Sequence, residues 1–460
     1  MGFWGSLTET TKNVFKIPEL RRRVLFTIGL LMVYRIGFHI PVPGIDPGEI
    51  AKFMKNLGAL GDILGTFAML SGGSILQVTM FALGVMPYIS AEIIFQLLVK
   101  VIPSLEELSK EGEQGMRKIK QYSRYTTVAI CVIQAFFVVS LIQSRIPQAV
   151  TSTGFTFTIS AIITLTAGTF MLMWLGEMIT EHGIGNGMSL IIMGGILANM
   201  PSAIVLMVNR AQSNYKESLN IIIILLLFAF IVITVVTITL GQRRIPIQHA
   251  KFQRGRRLYG GQRDFMPLKV DQPGVIPIIF ASALMTIPRM IFTALENWVE
   301  PTGGASGGFW YNFLRIVNNE FQRGGFGYIL LYVIMVLFFS FFWTKLMFNP
   351  IEMAKNMKEH GSFIPGIRPG KKTIEYLDKV VNRVTLAGGV FLATIAILPM
   401  IVSQIMAVEW SITRFVGGTG LLIVVGVALD LVQKVESHLV MRHYDGFFGH
   451  GGPSMKGRRG

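Results

Sequence analysis

Long apolar runs separated by short charged segments dominate this chain, in place of the mixed periodicities that soluble helices and strands show. A bilayer core takes about 20 mostly apolar residues per helix. Ten runs suit that requirement and are predicted as membrane spans. They cover residues 24–40, 75–99, 126–142, 159–179, 188–208, 219–240, 275–292, 328–348, 384–405 and 418–432. Arg21, Arg22 and Arg23 stand before the first run as they would in a secretory leader. That run passes straight into Pro41-Val42-Pro43-Gly44 and offers no small-residue cleavage site, so it reads as a retained span.

Ten spans bring the chain back to the side on which it began, and loop charge says which side that is. With the N-terminus cytoplasmic, the inner segments hold five Lys/Arg before the first span, six over 100–125 and none over 180–187. They hold a further eight over 241–274, seven over 349–383 and five from residue 433 onward. Thus 31 of the 42 basic residues lie inside and eight outside, with Arg35, Arg289 and Lys345 within spans. The expected layout is a cytoplasmic segment 1–23, one half over 24–208, a second over 209–432 and a basic cytoplasmic tail over 433–460.

Composition supports the membrane reading. Charged residues make up 15% of the 460, against roughly 25% in soluble proteins, and hydrophobic residues 51%. Such a chain cannot cover itself with polar surface. Its net charge of +16 must therefore sit in the loops. The single cysteine, Cys131, excludes an intrachain disulfide and a cysteine-cluster metal site.

Two segments repeat. Gly84-Val85-Met86-Pro87-Tyr88-Ile89-Ser90-Ala91 and Gly274-Val275-Ile276-Pro277-Ile278-Ile279-Phe280-Ala281 share G-V-x-P, then Ile and Ala at equal offsets. Each lies in the second span of a five-span half. Five is odd, so the halves enter the membrane in opposite senses, as in an inverted repeat around a central path. The prolines are expected to break their spans. Before the second span, residues 58–73 form an apolar stretch too short to cross. It is either a re-entrant helix hinged at Gly72-Gly73 or an interfacial helix.

Catalytic chemistry has no support: there is no metal-protease motif, no Walker loop and no nucleophile–base pair, and neither a cofactor nor a metal is expected. Gly183 to Gly187 reads as a tight turn between the fourth and fifth spans. Glu92 is the clear mid-span ionisable residue, whereas Glu177 and Asp430 lie near cytoplasmic ends. A transporter coupled to ions would need buried carboxylates or paired charges.

Phe81 to Gln96, Trp174 to Ser189, Gly241 to Arg244, Gly255 to Arg257, Phe363 to Gly370 and Gly418 to Val425 together resemble the SecY/Sec61-alpha family of protein-conducting channels, in order along nearly the whole chain. The resemblance implies an all-α fold of two inverted five-helix halves, an hourglass pore, a lateral gate to lipid and a short plug. The plug would be residues 60–73, with Leu60, Ile63, Leu64, Thr66, Phe67, Leu70, Gly72 and Gly73. By family correspondence the pore ring would be Val85, Ile89, Met188, Ile192, Ile279 and Ile423, with Ile276 an alternative to Ile279. Val85 and Met188 stand where isoleucine is expected. An apolar ring suits a channel that must block ions yet pass every side-chain type. Glu92, Gln96 and Gln134 would line the lateral gate; Glu92 departs from the small or neutral residue expected there. The two glutamines could equally form a constitutive helix–helix hydrogen bond.

Arg243, Arg244, Lys251, Arg254, Arg256 and Arg257 crowd one cytoplasmic loop, and Arg368, Lys371 and Lys372 another. These cations exceed what topology requires and suit phosphates or an acidic protein surface. The family implies docking of ribosomal RNA and of the SecA ATPase motor there. It also implies SecE and SecG as companion subunits, and signal peptides, unfolded preproteins and anionic lipids as partners. The expected role is a non-enzymatic protein-conducting channel in the bacterial cytoplasmic membrane. Two alternatives are an inverted-repeat secondary transporter for a small solute and a scaffold that only anchors partners.

Overall fold

The structure, a computed structural model, describes residues 17–50, 78–145, 147–150, 154–198, 200–211, 215–249, 252–254, 257–259, 263–272, 274–285, 309–321, 325–406 and 419–448, with positions 288, 292 and 295. Two compact units emerge: residues 1–199 with 427–460, and residues 200–426.

The first unit holds helices Pro18–Gly37 (α1), Met86–Val101 (α2), Pro103–Lys110 (α3), Glu113–Arg145 (α4), Phe155–His182 (α5) and Gly187–Ala198 (α6). The second span, expected over 75–99, becomes helical only at Met86, because residues 78–85 are turns. That irregular stretch is buried by protein, the condition for non-helical backbone at membrane depth. Phe81 packs on Tyr34 and Phe38 of α1, and Gly168 of α5 lies so close that a Cβ there would meet the Met80 carbonyl. The Met80 N–H donates to Ile40 O at 2.9 Å and Val42 N–H to Val78 O at 3.2 Å. At Ile102 the chain bends by 98° from α2 into α3.

Residues 100–125, expected as a charged loop, are largely helical, since α4 starts at Glu113. Ion pairs one turn apart, Glu106–Lys110 at 2.8 Å and Glu113–Arg117 at 2.7 Å, suit a solvated helix surface. Between α5 and α6, Gly183 to Gly187 form the expected tight turn. Gly185 has φ +93°, and a Cβ on Gly187 would strike the Gly176 carbonyl.

The second unit begins with Met200–Ala211 (α7) and Tyr215–Leu240 (α8). Strands Gln242–His249 (β1), Phe252–Arg254 (β2), Arg257–Tyr259 (β3) and Arg263–Lys269 (β4) follow. Then come Ile276–Leu284 (α9), Phe309–Phe321 (α10), Phe326–Met347 (α11), Pro350–Glu359 (α12), Ser362–Phe363 (β5) and Lys371–Met406 (α13). Helix Thr419–Phe448 (α14) belongs to this unit up to Gly426 and to the first unit from Val427.

The strands amend the all-α expectation. The basic loop over 241–274 is an antiparallel ribbon, with β1 between β4 and β5 and a β2–β3 hairpin beyond. The register pairs Arg243 with Leu268 and Ile245 with Met266. Alternation explains it: Ile245, Met266 and Leu268 turn one way into a core, while Arg244, Pro246, Phe265 and Pro267 are exposed on the other face.

Among the described residues five helices are long and apolar enough to cross a membrane, or six if the bent α2–α3 pair is one span. They are Glu113–Ser140, Phe155–His182, Leu219–Leu240, Phe326–Glu359 and Lys371–Val402. The protein is thus a multi-pass helical membrane protein. The other predicted runs carry helices that are shorter or more charged. Predicted span 188–208, for instance, carries helices Gly187–Ala198 and Met200–Ala211. Exposed stripes such as Leu226, Phe230 and Ile233 on α8, and Leu330, Ile334 and Phe338 on α11, have the composition of lipid-facing surface. Hydroxyls in these helices bond back to their own helix: Thr164 to Ser160 O, Thr234 to Phe230 O, Ser340 to Val336 O and Thr394 to Val390 O.

Candidate functional site: paired helix starts and a basic platform

The repeated motif builds the same local structure in each unit. Gly84 has φ +58° and Gly274 φ +62°, a left-handed conformation open to glycine at no steric cost. Helix begins two residues later in both cases, at Met86 and at Ile276. Pro87 and Pro277 therefore occupy the second helical position. Contrary to the expectation that they break their spans, they start them, because a first-turn residue has no intrahelical partner for its N–H. The Ile89 N–H donates to Val85 O at 3.0 Å, and the Ile279 N–H to Val275 O at 3.2 Å.

Around these starts, Val85, Ile192 and Ile423 are buried, whereas Ile89, Met188, Ile276 and Ile279 are half-buried. In the first unit Met188 Sδ packs against Gly176, where a Cβ would approach it to 2.7 Å. Asn186 caps α6 by accepting from the Ser189 N–H at 3.2 Å. In the second, Gly426 lies against Val275. The segment holding Leu60, Ile63, Leu64, Thr66, Phe67, Leu70, Gly72 and Gly73 lies outside the described residues.

Glu92 and Gln96 share a face of α2, one turn apart. Lys120 of α4 and Glu177 of α5 act electrostatically on Glu92. Glu177 itself is held by Arg124, whose Nη2 reaches both carboxylate oxygens at 2.7 Å and whose Nε reaches one at 3.1 Å. This cross-helix pair escapes sequence reasoning, because 53 positions separate its partners. Gln96 and Gln134 do not form the hydrogen bond that remained open from sequence. Both are half-buried, and Gln96 Oε1 is buried without a partner.

The two basic loops form one body. Ile245 and Leu268 of the ribbon share a core with Phe348, Ala354, Ile364 and Leu377. Strand β5 extends the ribbon, with Ser362 Oγ and His249 Nδ1 sharing a 2.8 Å hydrogen bond. Arg243 and Arg244 are exposed at the base of β1, and Arg254 and Arg257 stand opposite one another in the β2–β3 hairpin. Lys251 and Arg256 lie outside the described residues. Arg368 is exposed in a turn fixed by Gly366 at φ +82° and Gly370 at φ +105°. Its carbonyl accepts from Thr373 Oγ1 at 3.1 Å. Lys371 and Lys372 are exposed, the latter pairing with Glu375 at 3.2 Å.

Asp271, at the root of the ribbon, was not singled out by sequence. It is 7% exposed, and its Oδ1 has no partner. Burial pushes its carboxyl up to about 6, against the lowering effects of the Gly274 N–H and the Lys269 charge. Beside it Val270 O lies so close to Gly388 of α13 that a Cβ there would approach it to 2.4 Å. Among the described residues no three His, Cys, Asp or Glu side chains gather in a way that could hold a metal.

Comparison with known proteins agrees with this architecture. The SecY family profile matches residues 79–432. The protein translocase subunit SecY of Thermotoga maritima is 42% identical over 97% of this chain and 99% of its own length. That of Escherichia coli K12 is 42% identical over 93% and 94%. Among solved structures, a protein-conducting channel superposes with a TM-score of 0.60 at 20% identity, covering 93% of this chain and 96% of its own. Sec61 from a canine ribosome–channel complex of the endoplasmic reticulum gives 0.56 at 18%, over the same shares.

Proposed function

This chain belongs to the SecY family, and from that premise we propose that it is the channel subunit that passes unfolded secretory preproteins across the cytoplasmic membrane and releases transmembrane segments sideways into lipid. It is a channel, not an enzyme. One observation carries the reading: each unit opens a helix with the same left-handed glycine and second-position proline. Ile89 and Ile279 then fall at the same offset. Two such starts, one per half of a ten-span inverted repeat, supply apolar side chains to a constriction. The ring is Val85, Ile89, Met188, Ile192, Ile279 and Ile423, and apolar bulk of this kind excludes hydrated ions.

Residues 60–73 act as the plug below the ring. Support comes from a solved SecY structure whose plug domain is described as stabilising the closed state and maintaining a membrane seal. Glu92, Gln96 and Gln134 lie on the lateral gate, where unpaired amides leave no hydrogen bond to be broken on opening. Both termini are cytoplasmic, as the distribution of basic residues supports. The platform bearing Arg243, Arg244, Arg254, Arg257, Arg368, Lys371 and Lys372, together with Lys251 and Arg256, receives the ribosome and the SecA motor. SecE and SecG complete the channel, and anionic lipids surround it. ATP hydrolysis belongs to the motor.

The test is translocation of a secretory preprotein into vesicles holding the purified chain with its companion subunits, motor and ATP. Preprotein should become protected from protease only when ATP is present. Uptake of a small solute without preprotein transport would overturn the proposal in favour of a secondary transporter.

A further inference from the structure

Helix α10 leaves a large apolar surface uncovered although it does not cross the membrane. Its 13 residues span about 20 Å at 1.5 Å per residue, short of a bilayer core. Three sectors divide its circumference. Leu314, Asn318 and Phe321 face the protein, with the Phe321 ring 4.7 Å from that of Phe292. Phe309, Trp310, Phe313 and Ile316 form an exposed apolar sector, Trp310 at 68% and Phe309 at 78% exposure, which ends at Glu320 one turn beyond Ile316. The three rings of that sector contact one another at 5.8–6.4 Å between centroids. Asn312, Arg315 and Asn319, spaced three and four apart, form an exposed polar strip.

The helix is clamped to the end of α11. Gly325 packs so tightly on Glu320 that a Cβ would overlap its carbonyl oxygen, and Glu320 Oε2 accepts from the Gly327 N–H at 3.3 Å. This is the end of α11 opposite the basic platform, whose core begins at Phe348. The lipid-facing stripe of α11 starts there with Phe326 and continues through Leu330, Ile334 and Phe338. The C-terminal end of α10 is therefore fixed to the end of α11 at which this exposed apolar stripe begins.

From these observations we infer that α10 is an interfacial anchor lying in the phospholipid headgroup region, with Phe309, Trp310 and Phe313 among the upper acyl chains and Arg315 toward water and lipid phosphate. Phospholipid is the occupant that the surface fits. Its apolar sector is aromatic, its polar strip adjoins that sector, and tryptophan prefers the boundary between the two phases. The inference rests on α11 crossing a bilayer and not on what the channel passes. A failed preprotein assay leaves it standing, and the reverse also holds.

The test reconstitutes the full chain, and separately Trp310→Phe, in phosphatidylcholine–phosphatidylglycerol vesicles whose lipids carry bromine near either the headgroup end or the terminus of the acyl chain. Subtracting the two emission spectra isolates Trp310 from the other tryptophans. Its emission should fall about twofold more with the shallow bromine than with the deep one, as an anchor buried a few ångströms below the headgroups requires. It should also resist aqueous iodide. Emission untouched by either brominated lipid but quenched by iodide would overturn the inference. In native membranes, benzoylphenylalanine in place of Phe313 should yield adducts of lipid mass on irradiation. Adducts with another protein, or of doubled chain mass, would assign the face to a partner or a second copy instead.

Discussion

Replacing Asp271 with asparagine should stabilise the protein at neutral pH and remove a pH dependence that the parent carries. An unfolded aspartate titrates at 3.8, whereas Asp271 in the folded chain titrates at about 6. The folded state therefore holds the proton more tightly. Burial is least costly below pH 3.8, where the acid is neutral in both states. Stability falls as pH rises through the interval from 3.8 to about 6, and is level above it. The gap of roughly two units, at 1.36 kcal/mol each, amounts to about 3 kcal/mol of destabilisation at pH 7. Asparagine has the same shape and keeps an acceptor for the Gly274 N–H, but cannot ionise. Thermal or denaturant unfolding of Asp271→Asn and parent in detergent, from pH 4 to pH 8, measures the difference directly, with every other titrating group cancelling. The variant's advantage should be about 0.5 kcal/mol at pH 4 and grow toward about 3 kcal/mol by pH 7. A difference independent of pH would refute the assignment of the strain to the carboxylate charge.

Ile89→Ser combined with Ile192→Ser should raise the ion conductance of the resting channel in planar bilayers, since hydroxyls wet an apolar constriction; background conductance would remove both from the ring. Arg368→Glu should weaken an anionic partner by about 2–5 kcal/mol, as loss of one side of a docked charge pair does, and so abolish motor-driven translocation at normal protein level. Lys355→Glu, which disturbs only an exposed pair with Glu359, should do much less, and equal mild defects would mean that the platform acts by overall charge. A double-mutant cycle on Arg124→Ala and Glu177→Ala should give a coupling of about 1 kcal/mol, because both side chains are partly exposed. A coupling indistinguishable from zero would mean that α4 and α5 are aligned by packing alone.

Much of the membrane part was legible because a lipid-facing helix is written locally. The runs at 219–240 and 328–348 coincide with α8 and α11, since in lipid each helix must satisfy its own backbone and needs no distant partner. The G-V-x-P motif was visible as a repeat, but its mechanics were misread. Whether a proline breaks or begins a helix depends on where the preceding helical turn lies, and that is decided by the packing of residues 78–85 on α1 and α5. The ribbon escaped for a different reason. Ile245, Met266 and Leu268 alternate as a half-buried strand requires, but arginines and prolines interleave with them and give the segment the composition of a loop. Its core comes from Phe348 and Leu377, roughly a hundred residues on, which no local window contains. The Arg124–Glu177 pair and the buried Asp271 are likewise products of tertiary folding.

The hydroxyls of the membrane helices have a mechanical consequence. Thr164, Thr234, Ser340 and Thr394 each use their hydrogen on a carbonyl of their own helix, so each offers a neighbour only its acceptor lone pairs. Where adhesion exists it is pinned at discrete points inside a unit, such as Gln143 to Thr158 at 3.0 Å and Ser282 to Tyr332 at 3.2 Å. Away from those rivets the friction against a sliding neighbour is set by the shapes of methyl groups. Between those points such a helix meets its neighbour through side-chain interlock and not through hydrogen bonds.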